Sequence, residues 1–142
     1  MAFDPASDYP LGQRRPDLVT TPSGLSLEEV TLTGLREGRL GGADLRATPE
    51  TLKRQSAVAL ASGRRALADN LARAAELATL PDETILQIYS ALRPHRSTAE
   101  QLDEWATHLD ELGAPLSAAF VREARSVYAE RGLLRSGERA PA

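Results

Sequence analysis

Few residues in this chain could do chemistry. His95 and His108 are its only histidines. They form neither a His-x-x-x-His nor a His-Glu-x-x-His pattern, and two histidines alone cannot build a three-histidine zinc centre. His95 sits in a polar Arg-Pro-His-Arg turn. His108 follows Glu104 by four, so the two share a helix face, a surface contact worth about 0.2–0.5 kcal/mol. No activated nucleophile stands beside either histidine. The carboxylates come in adjacent pairs: Glu28-Glu29, Asp82-Glu83, Asp103-Glu104 and Asp110-Glu111. General acid–base catalysis needs two carboxylates in different environments, one of them desolvated. Adjacent helical residues point about 100° apart and stay solvated. Asp82 and Glu83 belong in a first helical turn, where negative charge suits the dipole. Gly34, Gly38, Gly41 and Gly42 lack the Gly-Lys-Ser/Thr ending of a phosphate loop and the strand-to-helix setting of a dinucleotide loop.

Composition narrows the classes further. The 142 residues include no cysteine. Disulfides, thiolate metal sites and thiol catalysis are therefore excluded, and a reducing compartment is expected. A net charge of −3 argues against a phosphate-binding surface. The basic spots at Arg14-Arg15, Arg64-Arg65 and Arg93/Arg96 read as solvated faces. No apolar run approaches the roughly 18 residues of a membrane span. Met1-Ala2-Phe3-Asp4-Pro5 has no basic start and no apolar stretch, so no signal peptide is expected there. The expected location is the cytoplasm.

The elements that must position these residues are helical. Isoleucine and valine total seven against twenty-three alanines and twenty-two leucines, which favours an all-α fold. Residues 1–49 hold five of nine prolines and six of ten glycines, so long regular elements are not expected there. Residues 1–26 read as an extended N-terminal arm, 27–134 as a helical domain of about five helices, and 135–142 as a disordered tail. Thr31 caps a short helix within Leu27–Gly38. Thr48 caps a helix with Pro49 at its first position, running to about Ser62. A second helix spans Arg64–Ala78. A third starts near Pro81-Asp82 and stops before Pro94. A fourth opens at Ser97-Thr98-Ala99-Glu100, read as a capping box from Ser97 to Glu100, with a stripe of Leu102, Trp105, Ala106, Leu109 and Leu112. After Gly113-Ala114-Pro115 the last helix carries Leu116, Phe120, Ala124, Val127 and Tyr128 on one side and ends near Gly132. Trp105, Phe120, Tyr89 and Tyr128 fall on apolar stripes, so core packing is the expectation for each, with one or two left as interface anchors. No internal repeat stands out.

The order of motifs carries more than any one of them. Asp8-Tyr9-Pro10-Leu11 is followed by Thr21-Pro22-Ser23-Gly24, Asp44-Leu45-Arg46, Thr48-Pro49-Glu50-Thr51-Leu52 and Arg73-Ala74-Ala75-Glu76-Leu77. Then come Pro81-Asp82-Glu83 and Ile88-Tyr89-Ser90-Ala91-Leu92-Arg93-Pro94-His95-Arg96-Ser97-Thr98. This series resembles the small subunit of adenosylcobalamin-dependent diol and glycerol dehydratases, over residues 8 to about 134. The departures are His95 for an aromatic, Ser90 for asparagine, Trp105 for a smaller apolar residue and Leu71 for an aromatic one. The resemblance implies a structural subunit that carries no catalytic, cofactor-binding or metal-binding residue. It would work with large and medium subunits, two copies of each. That enzyme turns 1,2-diols or glycerol into aldehydes plus water by a radical route, with adenosylcobalamin held by the other subunits. Only seven residues precede Asp8, a layout nearer the glycerol-type members, so packaging in a bacterial microcompartment is the less favoured location. Asp8, Tyr9, Pro10 and Leu11 of the arm, with Arg93, Pro94 and Arg96 of the turn, are the expected subunit contacts. Arginines without local acids suit carboxylates on a partner; the competing reading is that Arg93 and Arg96 cap the helix before Pro94. A stand-alone helical adaptor is the alternative function, ahead of an independent small enzyme.

Overall fold

The computed structural model describes residues 2–136, and among them the molecule is all-α. The chain forms two compact units, one up to Ala78 and one from Thr79 onward.

The first unit holds α1 (Leu11–Arg14), α2 (Leu32–Arg36), α3 (Pro49–Ala61) and α4 (Arg65–Leu77), with single 3₁₀ turns at Pro16–Leu18, Leu27–Glu29 and Gly42–Leu45. Thr31 and Thr48 cap α2 and α3 as expected, accepting from the Gly34 and Thr51 N–H groups at 3.0 and 3.3 Å. Pro49 occupies the first turn of α3, where its missing donor costs nothing. Gly63 (φ 74°) supplies the left-handed residue between α3 and α4. Val58, Ala59, Ala68 and Ala75 of these helices are buried, together with Leu11 and Leu40. Small side chains let the backbones approach, and the Ser56 hydroxyl reaches across to donate to the Ala68 carbonyl at 2.7 Å.

The second unit holds α5 (Asp82–Ala91), α6 (Ala99–Glu111) and α7 (Pro115–Arg131). Leu102, Ala106 and Leu109 meet Ala114, Ala118 and Val121 in the seam between α6 and α7, and none is more than 1% exposed. Both sets follow an i, i+4, i+7 spacing, a single helical stripe. Burying Leu102 and Leu109 stabilises the hairpin by about 1.5–3 kcal/mol each. The pairs Arg122–Asp110 and Arg125–Asp103 (3.4 Å) add surface-strength ion pairing of about 0–1 kcal/mol each.

The two hairpins share one register, fifty residues apart. Thr48 and Thr98 cap the 13-residue helices α3 and α6. The cap accepts at 3.3 Å from Thr51 N in one and from Gln101 N in the other. At the turn, Gly63 N donates to Leu60 O and Gly113 N to Asp110 O, each at 3.0 Å. Arg64 N then donates to Ala59 O, and Ala114 N to Leu109 O, each at 2.8 Å. The match is one of hydrogen-bond register, and in sequence no internal repeat of about 20–50 residues stands out. Only Thr48/Thr98, Glu50/Glu100, Leu52/Leu102, Gly63/Gly113, Ala68/Ala118 and Ala74/Ala124 are identical along it, too few to stand out without the hydrogen bonds.

Three further expectations change. The 1–26 segment is not extended throughout, because it contains α1 and the Pro16–Leu18 turn. Pro10 and Pro16 lie at the starts of these short helices, where proline is tolerated, rather than inside them. The α6 box is shifted by one residue: Thr98 pairs with Gln101, while the Ser97 hydroxyl donates to the Ala91 carbonyl at 2.8 Å. On α7 the buried side carries Ser117, Ala118 and Val121, not Leu116 and Phe120. Of the expected 135–142 tail, Arg135 donates its N–H to the Ser97 carbonyl at 2.8 Å, and residues 137–142 lie outside the described residues.

Candidate functional site

The residues singled out by sequence fall on two separate surfaces. In the first unit, Asp8 is half-buried and accepts from the Asp4 N–H at 2.9 Å and from Arg15 at 3.0 Å. Arg15 also grips Asp17 through Nε and a terminal nitrogen, at 3.0 and 2.9 Å. The Asp17 carboxylate beside it raises the Arg15 guanidinium above its ordinary value, and that guanidinium holds Asp17 below the usual carboxylate range. Leu11 is buried in its own unit, so Asp8 and Leu11 fasten the segment. Tyr9, 61% exposed, and Pro10 face outward.

Two of the motifs meet through a hydrogen bond. Thr21-Pro22-Ser23-Gly24 closes a loop, with Gly24 N donating to Thr21 O and Thr21 N to Leu25 O, both at 2.9 Å. The Ser23 hydroxyl then donates to the Asp44 carboxylate, which also takes the Gly41 N–H at 2.9 Å. The Ser23 hydroxyl first, and the Gly41 amide second, hold Asp44 below the usual carboxylate range.

In the second unit, Arg93, Pro94, His95 and Arg96 are all exposed. Their backbone is pinned on both sides. The Tyr128 hydroxyl donates to Leu92 O at 2.5 Å, His95 N to Leu133 O at 2.7 Å, and Arg96 N to Arg93 O at 3.2 Å. His95 takes φ 61°, a left-handed conformation uncommon for a residue with a side chain. The turn therefore presents its side chains from a fixed frame. Among the described residues neither Arg93 nor Arg96 has a recorded side-chain hydrogen bond or ion pair, so helix capping by these guanidiniums is not seen.

The aromatic side chains stay out of the core. Tyr89 is 62% and Phe120 44% exposed, Trp105 is half-buried, and Tyr128 spends its hydroxyl on the Leu92 carbonyl. Leu86 and Leu116 are also exposed; sequence reading missed Leu86, which lies off the Ile85/Ile88 stripe, and placed Leu116 on the packed face. Arg96, Ser97, Gln101, Glu104, Trp105 and His108 line an open cleft of about 430 Å³. Within it the Trp105 and His108 rings meet edge-on, 5.9 Å between centroids. Gln101 carried no sequence signal as a site residue, and Glu104 was noted only as a neighbour of Asp103 and His108. Among the described residues no group of three or more metal-ligating side chains converges. No described helix is long and apolar enough to cross a membrane.

These surfaces contain turns and exposed apolar side chains, and on α6 His108 Nδ1 stands 3.8 Å from the Glu111 carboxylate, one turn ahead rather than beside Glu104. A model described as dehydratase small subunit matches residues 5–135. The chain belongs to the dehydratase small-subunit family. It is 44% identical to the propanediol dehydratase small subunit of Salmonella typhimurium and 43% identical to that of Citrobacter freundii, each over 133 residues. Each alignment covers 93% of this chain and 77% of the relative. The dehydratase small-subunit motifs quoted from the sequence thus include structural pieces: Ser23 and Asp44 join one pair, and Ser97 and Thr98 end the pinned turn.

Proposed function

We propose that this chain is the structural small subunit of an adenosylcobalamin-dependent diol dehydratase, assembled with a large and a medium subunit in two copies each, in the cytoplasm. Packaging in a microcompartment is the less favoured location. The reading rests on the family membership, and the observation that carries it in the structure is the placement of large apolar side chains. Tyr89, Leu86, Leu116 and Phe120 stand in solvent on helices whose other sides are packed, as suits a chain that completes its burial against another. Tyr9, Pro10, Arg93, Pro94 and Arg96 are the contacts proposed for the large subunit, with Asp8 and Leu11 holding the first group in place.

Adenosylcobalamin supplies the radical that starts diol dehydration. The residues of this chain do not fit it. Three clefts among the described residues, one in the second unit and two in the first, have volumes of about 220 to 580 Å³, the size for a drug-sized ligand rather than for a corrin with its nucleotide tail. No step is assigned to this chain; the cofactor belongs to the other subunits.

Co-expression with the large and medium subunits tests this. Aldehyde formation from 1,2-propanediol or glycerol with adenosylcobalamin should require all three chains. Arg93→Ala with Arg96→Ala should weaken copurification with the large subunit. A chain that stays monomeric beside both candidate partners would point to a stand-alone adaptor, and activity from the isolated chain to a small enzyme; either overturns the reading.

A further inference from the structure

The shared register lets one unit show what the other lacks. In the first unit, the α3 face carrying Thr51, Arg54, Gln55 and Val58 is partly covered by the chain's own N-terminal residues, Gln55 staying exposed. Arg54 donates to the Leu18 carbonyl at 2.7 Å, and Tyr9, Leu11, Val19 and Leu27 line a groove together with Thr51, Gln55 and Val58. Moved by fifty, the same face on α6 is Gln101, Glu104, Trp105 and His108. Among the described residues only the Arg135 side chain is seen to reach it from another element, at Gln101. Gln101, Glu104 and His108 are exposed where Thr51 and Arg54 are half-buried and Val58 is buried; at the remaining position the order reverses, with Trp105 half-buried and Gln55 exposed.

The open face has its own recognition chemistry. Gln101 Oε1 already accepts from Thr98 N and from Arg135, both at 3.1 Å. Its amide is thereby oriented, and its NH₂ group is left as a donor with no recorded partner among the described residues. Arg96, held by the pinned turn, lines the same cleft. Glu104 stands at the position of Arg54, so an acceptor replaces a donor. Trp105 offers a flat wall between them.

We propose that this α6 cleft receives a segment of a partner dehydratase subunit, placed on α6 as parts of residues 9–27 are placed on α3. The segment presents a carboxylate to Arg96 and the Gln101 amide, an N–H or ammonium donor to Glu104, and an apolar side chain to Trp105. A bidentate guanidinium contact gives such a site its geometry. The inference rests on the subunit reading and deepens it, because it names the surface and the chemistry of the partner.

Trp105 is the only tryptophan, so a fluorotryptophan-labelled chain gives one fluorine NMR resonance from inside the cleft. The full chain is measured alone and in complex with unlabelled large and medium subunits. The resonance should move on assembly. Arg96→Ala and Gln101→Glu should each weaken association by about tenfold or more. Gln101→Glu keeps the capping oxygen and the contact to Arg135, so its melting curve should match the parent chain. A complex that forms with the resonance unmoved and both variants binding normally would overturn the cleft while leaving the subunit reading intact. A shift that appears as the lone chain is concentrated would assign the cleft to a second copy. A shift with millimolar acetate, and none on assembly, would assign it to a small carboxylate. Either overturns the proposal. Failure of any complex to form would overturn the subunit reading and this inference with it.

Discussion

The α3–α4 hairpin is partly covered by its own chain on one face, whereas the α6–α7 hairpin, with the same cap and turn hydrogen bonds, is largely open there among the described residues. The seams differ too. Ala59 occupies the position of Leu109, and Leu52 and Leu71 are half-buried where Leu102 and Val121 are completely buried. The second hairpin thus draws its stability from a tight apolar seam between two helices. The first spreads its stability over that seam and over the Arg54 bond to the Leu18 carbonyl, while residues 8–27 are tied within themselves by Arg15 and to the Gly42–Leu45 turn by Ser23 and Asp44. A helical hairpin of this register does not by itself determine which faces are covered. The side chains outside the seam decide that.

The largest test of this contrast is Leu109→Ala. It should cost about 2–5 kcal/mol, read as a lowered urea midpoint, because a fully buried leucine leaves a cavity among residues that cannot collapse. It also converts the second hairpin to the alanine already present at Ala59, and a small loss would break the distinction between the seams. Next comes Arg54→Ala, which strips a charged donor from the Leu18 carbonyl. About 1.5–3 kcal/mol is expected. The check is amide exchange: protection should fall across residues 11–27 and stay unchanged in α6 and α7. Glu104→Ala at the matching position should leave the free chain within about 0.5 kcal/mol, since it fastens nothing there.

The smallest effect is one of pH. Asp44 is held below the ordinary carboxylate range in the folded chain, so the folded state binds its proton less readily than the unfolded state. Its contribution is present above the ordinary carboxylate value and is lost as pH falls through the lowered folded one. Amide protection over residues 20–26 should therefore decrease on acidification below about pH 4. Asp44→Asn should remove that dependence, and exchange in α6 should show none of it.

Much of the fold was legible because the signals are local. Thr31, Thr48-Pro49, Gly63, Pro81-Asp82 and Gly132 place helix ends through hydrogen bonds and backbone angles within a few residues. The site was legible in part. The exposed turn at Arg93–Arg96 and the outward Tyr9-Pro10 lie where the motifs directed attention, but Asp8 and Leu11 prove to be fastenings within their own unit. Gln101 became visible only when its oxygen was seen to be engaged by Thr98 and Arg135.

By itself the amino-acid sequence determined the all-α class, the main helices and the motif series that places the chain in its family. Tertiary structure decided which apolar stripe of α7 is packed, that the two hairpins correspond, and that one α6 face is largely open among the described residues. The physical reason is range. Caps and breakers act over one helical turn. Helix α7 carries apolar residues on more than one side, and the small Ala114–Ala118–Val121 row admits α6 closely while Leu116 and Phe120 remain outside.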